Sequence, residues 1–154
     1  MSINSVLKTF IDEDLIERKE YEEGFLIDSI DDADIEPLKN TVQDQFGVSL
    51  SEEYIEFLRL SNGLSVNGLN VYGGKPYDED YYINGIVDLN SELWTEPTLT
   101  NYFSYGDESS TRLIYNKESK LFEAVDSVTW EKLDSFNSFG ELLEYVIKTC
   151  HIFD

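Results

Sequence analysis

The stretch Phe46-Gly-Val-Ser-Leu-Ser-Glu-Glu-Tyr-Ile-Glu-Phe-Leu-Arg-Leu-Ser-Asn-Gly63 carries the boundaries of two helices within eighteen residues. Phe46 closes an apolar face begun by Ile35, Leu38 and Val42. Gly47 follows where a left-handed residue ends a helix without a Cβ penalty. Ser51 then reads as the cap of the next helix, with Leu50 and Ile55 at the spacing of a hydrophobic staple. Glu52 and Glu53 fall in its first turn, where the macrodipole favours acids. Tyr54, Phe57 and Leu58 form its buried face, and Asn62-Gly63 stops it.

Upstream, Pro37 confines the start of the earlier helix to within a turn, and the cluster Asp28–Asp34 offers it several N-caps. Before that, Ile3, Val6, Leu7, Phe10 and Ile11 recur with helical spacing. An acidic connector with Glu17, Glu20, Glu22 and Glu23 around Tyr21 is expected next, leading to Phe25-Leu-Ile27. Downstream, residues 64–110 change character, with frequent glycines and tyrosines. Strands are expected near Leu69–Tyr72 and Tyr102–Tyr105, and a short helical turn around Leu89–Trp94. Thr111–Tyr115 and Leu121–Val125 read as a hairpin across residues 116–120. Ser138 and Glu141 stand as a capping box, opening a helix with Phe139, Leu142, Leu143, Val146, Ile147 and Cys150 on one stripe. Helices at both chain ends with hairpin strands between them predict an α+β domain, its mostly antiparallel or mixed sheet packed by helices.

The 154 residues suit one domain, 1–154, and the 41% hydrophobic fraction with ten Tyr, nine Phe and two Trp is ample for its core. Eleven Lys and Arg against thirty-two Asp and Glu give a net charge of −21. The basic residues fall singly, so no stripe is offered to nucleic acid and an anionic membrane repels the chain. A basic partner is drawn in instead. One cysteine excludes an internal disulfide framework, and one histidine excludes a zinc site built from several imidazoles and thiolates. No leader or membrane span is read at the start, and with an unpaired thiol the expected compartment is the cytoplasm.

Residues that carry chemistry are sparse. Gly73-Gly74-Lys75 lacks the first glycine and the following Ser or Thr of a phosphate loop, and reads as a turn. Asp78-Glu-Asp-Tyr-Tyr82 lacks the glycine and bidentate glutamate of an EF-hand. Cys150 and His151 are neighbours, but on a helix adjacent side chains point about 100° apart, and Cys150 lies on the apolar stripe. No metal, cofactor or catalytic residue is therefore assigned, and the chain is not expected to be an enzyme. Acid beside aromatic is how a site for a basic protein looks. Asp78, Glu79, Asp80, Tyr81 and Tyr82 are thus the leading partner-binding candidates, with Trp94 a companion. The competing reading is a solvated loop whose tyrosines turn to the core.

Ile35-Glu36-Pro-Leu38, Phe46-Gly47-Val48-Ser-Leu50-Ser51, Tyr54-Ile-Glu-Phe57-Leu58 and Ser61-Asn62-Gly63 together resemble the SUKH superfamily. The likeness continues through Phe103-Ser-Tyr-Gly106-Asp107 and Phe136-Asn-Ser-Phe139, spanning roughly residues 28–150. Ser51 stands where the family has proline and Phe46 where it has leucine; a cap and an apolar residue are kept. The superfamily groups Smi/Knr-type regulators of fungal cell-wall assembly with bacterial immunity proteins. The resemblance implies a SUKH-like domain and a binding function. That function is a bacterial immunity protein neutralising a toxin, such as a basic nuclease, or else a regulatory or scaffold module.

Overall fold

The computed structural model describes residues 3–154. Its first helix, α1, runs Ile3–Tyr21 and buries Ile3, Val6, Phe10 and Asp14. The expected acidic connector is thus helical as far as Tyr21. Glutamate, arginine and lysine are good helix formers, and Arg18 holds Asp14 one turn back at 2.6 Å. Helix α2 (Asp32–Phe46) ends at Gly47 with φ 67°. Helix α3 (Glu52–Leu60) begins at Ser51, whose hydroxyl accepts the Tyr54 amide. Both boundaries follow the sequence reading.

The sheet is antiparallel throughout, with six strands in the order β1-β2-β5-β6-β7-β8. These strands are β1 (Leu64–Val66), β2 (Leu69–Val71), β5 (Tyr102–Asp107), β6 (Thr111–Asn116), β7 (Leu121–Asp126) and β8 (Lys132–Phe136). A separate two-stranded ribbon joins β3 (Tyr77–Asp78) to β4 (Tyr82–Ile83). The chain is therefore an α+β domain with helices towards both ends. Strands β1, β3, β4 and β8 were not anticipated, being two to five residues long. Such runs are too short for alternation to declare itself.

Helix α4 (Ile86–Leu93) explains how β5 is finished. Strand β2 pairs only with Gly106 and Asp107 of β5. Next to it the Tyr72 amide donates to the Tyr105 carbonyl at 3.0 Å, and side chains satisfy the groups beyond. Asn90 accepts the Ser104 amide at 2.7 Å and donates to the Ser104 carbonyl at 2.9 Å. The Trp94 indole N–H donates to the Tyr102 carbonyl at 2.8 Å. An edge closed in this way offers no row of unpaired groups to another chain.

The core lies between the sheet and helices α1, α3 and α5 (Phe139–Thr149). Tyr54, Tyr105, Phe103, Phe122 and Phe139 meet there ring to ring. Buried tyrosines need hydrogen-bond partners. Tyr54 donates to the Tyr72 carbonyl at 2.5 Å, and the Tyr105 hydroxyl accepts the Ser51 amide at 3.1 Å. Ser138 caps α5 as expected, accepting the Glu141 amide at 3.2 Å. Glu53 reaches across from α3 to accept the Gly140 amide at 2.9 Å. A residue read as a first-turn acid of one helix thereby caps a second.

Candidate functional site

A cleft of about 650 Å³ opens between the strap that joins α1 to α2 and the β3–β4 ribbon. Asp28 and Asp31 line one wall, Asp78 and Glu79 the other, with Lys75, Tyr77 and Asn62 between them. The walls are held by the segment that ends α3. The Ser61 hydroxyl accepts the Ile27 amide at 3.0 Å and donates to the Gly63 carbonyl at 2.7 Å. The Asn62 amide donates to the Asp28 carbonyl at 3.0 Å. On the opposite side, the Asn62 carboxamide accepts the Gly74 amide at 2.8 Å and donates to the Lys75 carbonyl at 3.1 Å. One residue thus fixes both walls.

The glycines serve this close approach. Gly63 has φ +85°, and a Cβ there would come within 2.8 Å of the Val71 carbonyl oxygen. At Gly73, a Cβ would lie 2.6 Å from the Lys75 carbonyl oxygen and 2.8 Å from the Asn62 side-chain oxygen. Side chains are excluded at both positions because backbone cannot give way cheaply. Gly73-Gly74-Lys75 is accordingly a bend packed on Asn62, as the rejection of a phosphate loop anticipated.

The strap has its own anchors. Buried Asp14 accepts the Leu26 amide at 2.9 Å, and Arg18 donates to the Leu26 carbonyl at 3.1 Å. The Ile30 amide donates to the Leu58 carbonyl at 3.1 Å. With its backbone spent inward, the strap leaves Asp28 and Asp31 exposed. Asp31 occupies the N-cap position of α2, yet its side chain makes no cap hydrogen bond. Lys75 is the one cation lining the cleft, and it pairs loosely with Asp34 at 3.8 Å.

The five loop candidates divide. Asp78 and Glu79 line the cleft; Asp80, Tyr81 and Tyr82 do not. Tyr81 leans on Tyr77 with ring centroids 5.2 Å apart. Burial first, then Tyr77 and the charges of Asp80, Glu23 and Asp14, push its hydroxyl above the usual range. Tyr82 is 55% exposed at the rim, so its ring is not turned to the core. Trp94 is elsewhere: besides its bond to β5, its ring meets the Phe46 ring edge-on at 4.9 Å and carries the Lys117 ammonium 4.8 Å from its centre. Its companionship with the loop is not part of this structure. Asp28, Asp31, Lys75, Tyr77 and Asn62 were missed because cap clusters and helix stops explain such residues well enough in sequence.

Among the described residues no group of three or more His, Cys, Asp and Glu is placed to hold a metal, and no helix is long and apolar enough to cross a membrane. Cys150 is half-buried rather than in the core; its thiol donates to Glu108 at 3.4 Å. The His151 imidazole lies 2.6 Å from Asp154, away from that thiol's hydrogen-bond partners. No family model and no curated protein matches the chain.

Proposed function

We propose that this chain is a cytoplasmic immunity protein that neutralises a toxin by binding it, with the acidic cleft receiving a basic segment of that toxin. The observation that carries the reading is the cleft itself, about 650 Å³ with four carboxylates facing one lysine. Asn62 fixes the main chain at Asp28 on one side and at Gly74 and Lys75 on the other, so the backbone beside the charges is set before a partner arrives. Preorganisation of this kind reduces the entropy lost on binding. The net charge of −21 adds a long-range field that draws a basic protein in. Phe46-Gly47, Tyr54, Phe57 and Ser61-Asn62-Gly63, the residues of the SUKH resemblance, support the same class of function. They do so through the scaffold: their work here is capping, packing and pinning the walls.

Tagged protein purified from its native strain, followed by identification of the bound chain, tests this reading. The expected partner is basic, toxic when expressed alone, and silenced by stoichiometric addition of this protein. Capture of a partner that lacks toxicity and keeps its activity in the complex would replace immunity by the regulatory or scaffold reading.

A further inference from the structure

A second groove, of about 330 Å³, lies between α1 and α5 and is bordered by Phe153 and Asp154 of the turn that follows α5. Helical spacing supplies its two long walls. Val6 and Glu13 stand two turns apart on one side of α1, and Glu144, Ile147 and Lys148 follow at i, i+3 and i+4 on one side of α5. Beyond α5, His151 takes a left-handed conformation with φ 53°. The turn is pinned from elsewhere in the fold. The Asn67 carboxamide donates to the Ile152 carbonyl at 2.7 Å. The Phe153 ring lies against Phe10 and Phe25, with centroids 6.1 and 5.8 Å away.

The lining is amphipathic. Val6, Ile147 and Phe153 are its apolar members, and Glu13, Glu144 and Asp154 its acids. Lys148 answers one of the acids, reaching Glu144 Oε1 at 2.7 Å, while Glu144 Oε2 is buried without a hydrogen-bond partner. Among the described residues Glu13 forms no ion pair. Asp154 meets the His151 imidazole at 2.6 Å, which is a hydrogen bond and not an ion pair while that ring is neutral. Glu13 and Asp154 are thus uncompensated charges beside an apolar floor. No group of three or more His, Cys, Asp and Glu among the described residues is placed to hold a metal, so these acids do not converge on one ion.

We propose that this groove binds a small aliphatic diamine, with the methylene stem on Val6, Ile147 and Phe153 and the two ammonium groups at Glu13 and Asp154. Size selects a small molecule, since 330 Å³ lies at the lower end of the roughly 300–1,000 Å³ of such sites. Charge selects a dication, and the apolar floor selects one with a hydrocarbon stem, whose burial adds what exposed charges alone do not. The site is separate from the acidic cleft, and the proposal does not rest on a toxin partner.

Amide proton–nitrogen NMR spectra of the full chain, titrated with 1,5-diaminopentane at about 0.15 M salt, test this directly. At that ionic strength the Debye length is near 8 Å, so diffuse attraction to a chain of charge −21 is largely screened. The amides of Glu13, Ile147, Phe153 and Asp154 are expected to shift to saturation at a concentration roughly tenfold below that which moves Asp28, Asp78 and Glu79 in the larger cleft. Mg²⁺ carries the same charge without a stem and is expected to need roughly tenfold more than the diamine to move the groove amides. Glu13→Gln combined with Asp154→Asn is expected to weaken the diamine about tenfold, in a protein whose spectrum away from the two positions matches the parent. Groove amides that stay still, or that shift without saturating, overturn the proposal. So does Mg²⁺ acting at the same concentration as the diamine, or a double variant that binds the diamine as tightly as the parent.

Discussion

Asn62 concentrates more of the site than any other single residue. Its main chain holds the strap and its carboxamide holds the bend before the ribbon. Asn62→Ala strands the Gly74 amide and the Lys75 carbonyl, and is expected to cost about 2–3 kcal/mol in urea unfolding. In sequence Asn62 looked like a helix stop; the helix ends one residue earlier, at the extended cap Ser61, and Asn62 is left to hold the site. That second role depends on residues 73–75 arriving from across the fold, which local pattern does not report. Cys150 makes the converse point. The stripe of α5 placed it in the core, whereas it sits half-buried at the helix end, donating to Glu108. Burial first, with Glu108 adding to it, raises the thiol above its ordinary value. It is therefore protonated at neutral pH, and alkylation by a maleimide is expected to be slower than for a free cysteine. Cys150→Ala is expected to lower stability by about 1 kcal/mol and to leave partner binding unchanged.

At the scale of elements, long helices with clear caps were legible and short strands were not. Gly47, Ser51 and Ser138 sit at their predicted boundaries because capping is local chemistry. The β3–β4 ribbon is held by pairs of residues, Tyr77 with Ile83 and Asp78 with Tyr82, that no periodicity announces. Trp94 belongs to the same lesson, since an exposed anchor and an edge-closing indole read alike in sequence. Its exchange separates the two roles. Trp94→Phe keeps the ring against Phe46 but loses the donor to Tyr102, at an expected cost of about 1–3 kcal/mol with unchanged partner kinetics. Tyr82→Ala, at the exposed rim, is expected to do the reverse: native stability, and a faster dissociation of the partner. Thermal unfolding and surface plasmon resonance on the two variants check both halves.

The whole molecule carries its charge unevenly in consequence though not in sequence. Acids lie along most of the chain; Asp28, Asp31, Asp78 and Glu79 face one another across the cleft of about 650 Å³, while Glu13, Glu144 and Asp154 line a smaller one of about 330 Å³. Composition announced an acidic surface and a basic partner; it could not single out these four, since their meeting depends on the strap and ribbon closing around Asn62. Self-repulsion at −21 should also weaken the fold at low ionic strength. The melting temperature is accordingly expected to rise as salt increases to about 0.15 M, measured by differential scanning fluorimetry, because the Debye length shrinks to near 8 Å.

The central claim is that the cleft steers a basic protein into a prepared acidic seat. Its most direct test is the association rate of the captured partner with the parent and with a variant carrying Asp28→Asn, Asp78→Asn and Glu79→Gln, at two salt concentrations. These side chains are exposed and neutral replacements keep their shape, so folding is preserved. Electrostatic steering accounts for roughly 10–10³-fold in rate at low salt. The variant is expected to associate about tenfold more slowly at low salt and to show a shallower salt dependence, consistent with the lower end of that range. A variant that associates as fast as the parent at both salt concentrations, with the same salt dependence, would contradict the account.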